Sequence, residues 1–439
     1  HDGDFLSTAV PWGRLLTNAT GSCIVKKERL FFLGKGVWWH MERTILHCDC
    51  NSFFASVECV YRPELWNVPM AVCGDPDNRH GIVLAKNELA KQYGICTAET
   101  VWQAKRKCPK LVMVPPHYDR YEAFYRRINA LYCEYTDKVE PFSIDESWLD
   151  VTGSRLLFGD GKTIADTLRR RVKEELGITI SVGVSFNKTL AKMGSDYKKP
   201  DATTVLSRET FRDILYPLPL SDLMFAGQST TETLGRMGIH TIGDLAQADR
   251  ACIVAALGKV GGQLHDSANG IAPSPVRAFS DKRVVKSVGN GMTFRKDLTT
   301  KEEVYRGLLY LAEPVAARLR AHGLWCEAVQ VTVKYPSLKT ASLQRKLRHP
   351  TCSTVDLYEG AVEVMDVLWE GKAPLRSITI TACRVSGEAT PEQLDLFGDE
   401  KDEGRREKRA VLDSAVDTLR VRFGENAVKR CRILHDDRE

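Results

Sequence analysis

An adjacent pair of carboxylates, Asp145-Glu146, interrupts an otherwise apolar run, with Pro141-Phe142-Ser143-Ile144 before it and Ser147-Trp148-Leu149-Asp150-Val151 after it. Like charges side by side repel, and the flanking pattern is that of two strands joined by a tight turn. Any fold that pairs those strands must aim two acids at one place. Either the turn is exposed and merely acidic, or it opens on a cleft where a cation offsets the charge. Mg²⁺ suits the second case: it is hard, takes oxygen ligands, and is usually held by one or two carboxylates together with substrate phosphates.

A third acid bears on the choice. Thr44-Ile45-Leu46-His47-Cys48 reads as a short apolar strand ending on Asp49, and a polar turn follows before Phe53-Phe54 open an amphipathic helix that runs through Glu58. A carboxylate at the C-terminal end of a strand faces the crevice where sheets of this kind bind ligands. If this strand lies beside the Asp145-Glu146 hairpin, three carboxylates converge. They would then form a ligand set for two Mg²⁺ ions about 3.5–4 Å apart, the arrangement used for in-line phosphoryl displacement.

Asp49-Cys50-Asn51-Ser52-Phe53-Phe54-Ala55-Ser56-Val57-Glu58 together with Ser143-Ile144-Asp145-Glu146 resembles the Y-family of translesion DNA polymerases. Within it the nearest branch is the DNA polymerase IV (DinB-type) group. The resemblance runs from about Met41 to near the C-terminus. It implies an α+β multidomain, right-hand polymerase with palm, fingers, helical thumb and a β-α-β-β-α-β little-finger domain. It further implies template-directed, error-prone DNA synthesis from deoxynucleoside triphosphates. In that reading Asp49, Asp145 and Glu146 are the catalytic acids and hold two Mg²⁺, with the Cys50 carbonyl as an extra ligand. Phe54 lies under the incoming sugar and excludes a 2′-hydroxyl as a steric gate. Phe53 beside it is counted with the nucleotide site, although core packing is its plainer use.

Composition sets wide limits. The chain has 439 residues, 43% hydrophobic and 27% charged, ordinary for a globular protein and long enough for roughly three or more domains. Its formal net charge of +5 permits nucleic-acid binding without requiring it. Thirteen cysteines, an odd number with no CxxC pair, read as reduced thiols in a cytoplasmic protein and not as a disulfide framework or zinc site. No run is apolar enough to span a membrane. Asn18-Ala19-Thr20 matches a glycosylation sequon by chance, since nothing else points to secretion.

Residues 1–40 show no signal-peptide pattern and are a leader of unassigned role, Met41-Glu42-Arg43 looking like a natural start. The palm is expected at 41–58 and 117–206, with the fingers at 59–116. In the family, the segment Ala85-Lys86-Asn87-Glu88-Leu89-Ala90-Lys91 contacts the triphosphate through a Tyr and an Arg. This chain has Glu88 and Lys91 instead, so Lys91 neutralises phosphate as a point charge and Lys86 assists. A solvated helix face is the plain alternative for both. Tyr121, Phe124, Tyr125, Ile128, Leu131 and Tyr132 recur at helical spacing and read as core packing.

After the strand 178–185, Lys188 and Lys192 share a helical face and Lys199 ends the helix before Pro200. The family position makes Lys199 the triphosphate lysine, stabilising charge on the leaving pyrophosphate, and leaves Lys188 for DNA backbone or solvent. A thumb is expected at 207–275. Its Gly238-Ile239-His240-Thr241-Ile242-Gly243 hairpin either frees N–H groups for a DNA phosphate, with Gly238 and Gly243 at the contact, or is a plain packing unit. The companion hairpin near Phe225-Ala226-Gly227-Gln228-Ser229 is incomplete.

A linker at 276–283 leads to the little finger, 284–387, with strands at 284–293, 328–335, 340–346 and 376–385 and helices at 301–322 and 357–371. Lys286 and Arg295 are the chief phosphate candidates there, with Ser287, Thr293 and Lys334 behind them. The tail, 388–439, holds Gln393-Leu394-Asp395-Leu396-Phe397, which resembles the bacterial sliding-clamp motif; Gln393, Leu394, Leu396 and Phe397 would make the contact. A basic amphipathic helix at 405–423 has no readable role. The expected partners are therefore primer–template DNA, deoxynucleoside triphosphates and the clamp, for a monomeric enzyme without proofreading. Another two-metal nucleic-acid phosphoryl transferase, such as a nuclease, would not need Phe54 or Lys199. A non-catalytic DNA- and clamp-binding accessory protein would not need three acids.

Overall fold

The computed structural model describes residues 42–75, 81–272, 274–281, 284–387, 400–424 and 427–430. The leader at 1–40 and the Gln393-Leu394-Asp395-Leu396-Phe397 motif lie outside them.

Five strands make the sheet expected for the palm: β1 (Ile45–Cys50), β5 (Val139–Pro141), β6 (Glu146–Asp150), β7 (Ile180–Ser185) and β8 (Thr203–Leu206), in the order β5-β6-β1-β7-β8. β1 is central and antiparallel to both β6 and β7, and β8 runs parallel to β7. Every residue of β1 and β7 is buried, so both faces of the sheet are covered. Strand alternation decides which face each side chain takes. Leu46, Cys48 and Cys50 join a core with α4 (Tyr118–Cys133) and α6 (Gly161–Leu176). A short helix, α5 (Arg155–Phe158), leads into α6, which is capped by Asp160 and ended by left-handed Gly177. Ile45, His47 and Asp49 face the other way, toward α7 (Lys188–Tyr197). Polar Asp49 is thus at the end of a central strand, on the face that α7 covers.

Between β1 and α4 lies a three-stranded sheet, β3-β2-β4, built from β2 (Met70–Cys73), β3 (Val83–Lys86) and β4 (Val112–Val114). It packs against α1 (Phe53–Tyr61), and α2 (Glu88–Gln92) and α3 (Val101–Lys107) complete this lobe. The next four helices, α8 (Phe211–Leu215), α9 (Gln228–Gly235), α10 (Ile242–Gln247) and α11 (Arg250–Ala268), share a core with Phe186, Leu190 and Met193.

The last sheet, β11-β10-β12-β9, comprises β9 (Ser287–Leu298), β10 (Trp325–Lys334), β11 (Thr340–Thr351) and β12 (Leu375–Ser386). With α12 (Lys301–Ala321) and α13 (Thr354–Leu368) it has the expected β-α-β-β-α-β order. Val329, Val331 and Val333 on β10 and Ile378 and Ile380 on β12 pack with the helices. The alternate positions, among them Gln330, Thr332, Thr379 and Thr381, lie across from one another on the open face.

The final helix, α14 (Glu400–Phe423), docks on this domain through charge. Arg320 bonds Asp413 and Asp417, Arg409 bonds Asp356 and Glu359, and Arg420 bonds Glu313. Val411, Leu412, Leu419 and Phe423, the apolar positions of the sequence pattern, are exposed, so the helix is turned opposite to the usual amphipathic arrangement.

Candidate active site

The β1–β6 register sets Asp49 directly opposite Glu146, and the Cys50 amide donates to the Asp145 carbonyl at 3.0 Å. Residues almost a hundred positions apart in the chain meet because two neighbouring strands end together. The turn between β5 and β6 closes with the Phe142 and Ser143 amides donating to the Glu146 carbonyl. It places Asp145 at the tip, where the Ser143 hydroxyl donates to Oδ1 at 2.5 Å. Beyond Asp49, Ser52 is left-handed (φ 51°) and turns the chain into α1. Asn51 braces that turn, its side chain bonded to Ser181 and Thr179.

Two ammonium groups enter this cluster from α7 and the residues after it. Lys199 Nζ is 2.8 Å from Asp49 Oδ2 and 2.7 Å from Asp196 Oδ1. Lys192 Nζ is 2.7 Å from Glu146 Oε1 and 3.6 Å from Asp49 Oδ2. Burial opposes the lysine charges, but the surrounding carboxylates outweigh it, raising Lys192 and pushing Lys199 up to about 12. Burial also raises Asp145, with the nearby Asp49 charge adding to it. Glu146 is pushed up to about 7 by burial and its hydrogen bond with Asp49, against the opposing pull of Lys192. Burial is the leading cause of both carboxyl shifts, and the two lysines do not cancel it.

The hard oxygen donors of these partly buried acids fit a divalent cation. As they stand, no three His, Cys, Asp or Glu side chains among the described residues converge at ligating distance. A cation would compete with the two ammonium groups for the same oxygens.

Lys192 and His47 are site residues that sequence reasoning missed. Lys192 had a signal, lying four residues after Lys188 on one helical face. His47 had one too, since period two puts it on the face of Asp49. Its ring is buried, with Nδ1 2.8 Å from Ser195 Oγ and Nε2 3.9 Å from Glu146 Oε2. Burial, then Lys192 and Lys199, push its pKa well below the ordinary histidine value, disfavouring the charged ring.

Other expected residues fall in different places. Phe54 is half-buried beside α4, whereas Phe53 is buried in the palm core. Phe53 is corrected from a nucleotide contact to a packing residue. Lys86 Nζ donates to Thr97 Oγ1 at 2.9 Å, and Lys91 Nζ is 2.6 Å from Glu88 Oε1, which also accepts from the Ser52 hydroxyl. Glu88 thus links the finger helix to the turn after Asp49.

Lys188, expected on DNA backbone or solvent, is largely buried and paired within the protein. Its ammonium lies 2.8 Å from Glu140 Oε2 and over the Trp148 ring, and Arg277 bonds the second Glu140 oxygen. Burial works against the Glu140 charge, but these two cations more than offset it and hold the carboxyl below its ordinary range. A buried carboxylate takes the nearest cations, so Lys188 is a structural ion-pair partner.

The Gly238–Gly243 hairpin also departs from the expectation of free N–H groups. Gly243 N donates to Tyr216 O, Ile242 N to Leu218 O, and Gly238 N to Gly235 O. Thr241 and Asp244 form a capping box that uses the remaining donors. The packing-unit alternative describes this hairpin, and Gly238 and Gly243 are withdrawn as phosphate contacts. In contrast α9, which follows the incomplete hairpin, starts at Gly227 with no side-chain cap. Lys286 and Arg295 are both exposed, just before and on β9.

Two family models match the chain: the impB/mucB/samB family over residues 48–196 and the impB/mucB/samB family C-terminal domain over 285–396. The DNA polymerase IV of Acetivibrio thermocellus is 44% identical over 396 residues, covering 90% of this chain and 98% of that one. The chain belongs to the Y-family DNA polymerases, in the DNA polymerase IV branch. The DNA polymerase IV of Moorella thermoacetica is 40% identical over 388 residues, covering 88% of this chain and 95% of that one. Among solved structures, a Y-family DNA polymerase chimera of Dbh and Dpo4 superposes with a TM-score of 0.69 at 25% identity, over 78% of this chain and 99% of that one. As a Y-family member the chain is a DNA-directed DNA polymerase of the translesion type, and the family uses divalent metal ions. Among the described residues no helix is long and apolar enough to cross a membrane.

Proposed function

We propose that this polymerase IV relative extends a primer 3′ end with deoxynucleotides at the Asp49–Asp145–Glu146 cluster, without proofreading. The observation that carries the assignment is the β1–β6 register, which sets Asp49 against Glu146 with Lys192 and Lys199 at the same oxygens. Asp49, Asp145, Glu146 and the Cys50 carbonyl would hold two Mg²⁺ ions, which when bound acidify the primer hydroxyl and neutralise phosphate charge. Lys199, at the mouth of the cluster, pairs with the triphosphate and steadies charge on the departing pyrophosphate. Lys91 and Lys86 support the same phosphates from the fingers. Phe54 stands under the sugar as the steric gate.

In the same reading the palm is 41–58 and 117–206, the fingers 59–116, the thumb 207–275 and the little finger 284–387, joined by a linker at 276–283. Duplex DNA lies on the open, hydroxyl- and amide-rich face of the little-finger sheet, with Lys286 and Arg295 on phosphates. Residues 393–397 tether a monomeric, cytoplasmic enzyme to the sliding clamp. A primer-extension assay with Mg²⁺ and a labelled primer tests the core of this reading. Elongation supports it, shortening means a nuclease, and a mobility shift alone means an accessory protein. Deleting 393–397 should remove clamp-stimulated synthesis and spare basal synthesis; equal loss of both would count against the tether.

A further inference from the structure

Phe54 does not stand alone. Its ring stacks on that of Tyr121 with centroids 4.1 Å apart and planes only 12° from parallel. Tyr118 meets both rings edge-on, at 6.0 Å from Phe54 and 5.8 Å from Tyr121. Offset stacking and edge contacts of this kind are favourable beyond the area they bury. The far end of Tyr121 is fixed as well. Its hydroxyl donates to Glu58 Oε1 at 2.7 Å and accepts from the His117 amide at 3.1 Å.

Glu58 lies four residues after Phe54 on α1, so both point to one side of the helix. Tyr121 lies across the pair, its ring on Phe54 and its hydroxyl on Glu58. Glu58 is fully buried, and it is further held by Arg120 Nη1 and His117 Nδ1, each at 2.9 Å. A buried carboxylate is a costly way to pack a helix against a neighbour, and an apolar residue of similar size would pack there without that cost. What the carboxylate adds is direction. Swinging Tyr121 about χ1 would take its hydroxyl off Glu58 and the His117 amide. A turn about the ring's own axis leaves the hydroxyl in place and is opposed by the stacked Phe54 ring and the edge-on Tyr118 ring.

We propose that Tyr121 is the positioning residue for the steric gate, with buried Glu58 as its anchor, holding a backing ring behind Phe54 and hence sustaining the discrimination against ribonucleotides. The inference rests on the reading of Phe54 as that gate. A ring free to tilt away from the sugar admits a 2′-hydroxyl, whereas a ring backed by a second, anchored ring does not. Tyr121 is fully buried behind Phe54, so it acts through that ring.

The test is single-nucleotide incorporation by the full chain with Mg²⁺ and primer–template, reading kcat and KM for a deoxynucleotide and its ribonucleotide. Tyr121→Leu is expected to lower the ratio of kcat/KM values at least about tenfold, chiefly by lowering KM for the ribonucleotide. Tyr121→Phe keeps the stack and is expected to hold the ratio within about threefold of the native value. Glu58→Gln, which keeps the volume but weakens the anchor, should fall between the two. Equal losses for both nucleotides with Tyr121→Leu and Glu58→Gln, alongside a collapsed ratio for Phe54→Ala, would overturn the positioning role and leave the gate intact. An unchanged ratio for Phe54→Ala would remove the gate, and the inference with it. If Tyr121→Leu does not fold, the Glu58→Gln ratio decides.

Discussion

The Lys199 ammonium sits 2.8 Å from Asp49 Oδ2, bridging to Asp196, so the lysine proposed to meet phosphate is held on a carboxylate proposed to meet a cation. Lys199→Ala removes that charge from both duties. It should lower single-turnover incorporation about 10²–10³-fold, the usual cost of losing one group that stabilises developing charge. Asp145→Ala should abolish extension while primer–template binding, read by anisotropy, persists. Extension surviving in Asp145→Ala would exclude the acid cluster as the catalytic centre.

DNA affinity should separate the lysines that look alike in sequence. Lys188 is committed to Glu140, whereas Lys286 and Arg295 stand exposed at β9. Each phosphate contact contributes about 0.9 to the slope of log affinity against log salt. Lys286→Ala and Arg295→Ala should each flatten that slope by about one, and Lys188→Ala should leave it unchanged. A flattened slope in Lys188→Ala would restore it as a backbone contact.

The ion pair at Glu140 is expected to matter for stability instead. Glu140→Gln leaves Lys188 short of its partner in a mostly buried place. The cost should be about 2–3 kcal/mol by urea unfolding, below the usual range for a buried pair because Arg277 is half-exposed. The folded pKa of Glu140 lies below its unfolded value, so its contribution is complete at neutral pH and is lost as pH falls through the depressed folded value. The gap between native and Glu140→Gln should therefore close on acidification and stay constant from pH 6 to about 8.

Local periodicity made much of this legible. Alternation in 45–50 and the acids after 141–144 located the cluster, because strand period and turn chemistry are properties of short segments. The four little-finger strands and two helices were readable for the same reason. What escaped depends on partners. Nothing local says that Lys188 will meet Glu140, or that β4, three residues long, will find β2. The docking of α14 was not readable either: Arg320, Glu313 and Asp356 on the domain beneath it select its charged stripe and leave the apolar one outside. The Thr241–Asp244 capping box, by contrast, leaves a local trace, Thr-x-x-Asp, which the sequence reading did not use.

The inverted docking of α14 gives its own test. Arg320 bonds Asp413, Asp417 and the Cys352 carbonyl from a largely buried position. Arg320→Ala should release α14 to limited proteolysis between 400 and 423 while the sheet beneath stays protected. A tryptic pattern unchanged from native would show that the helix is held by other means.

Gly183 offers the sharpest prediction about how the site is assembled. It lies in β7 on the face toward α7, so close that a Cβ there would meet Ala191 O at 1.9 Å and Ser195 N at 2.4 Å. Both are backbone atoms and cannot turn aside, so Gly183→Ala must push the helix off the sheet. Overpacking of this sort costs about 1–3 kcal/mol or more. α7 carries Lys192 and leads into Lys199, and Ser195 bonds His47, so the displacement moves every cation of the cluster together. Gly183→Ala should therefore lose extension more completely than its stability loss alone explains. Folded protein, shown by an intact cooperative melt, should retain DNA binding and fail to incorporate. Native incorporation by a folded Gly183→Ala variant would mean that α7 does not set the geometry of the acids.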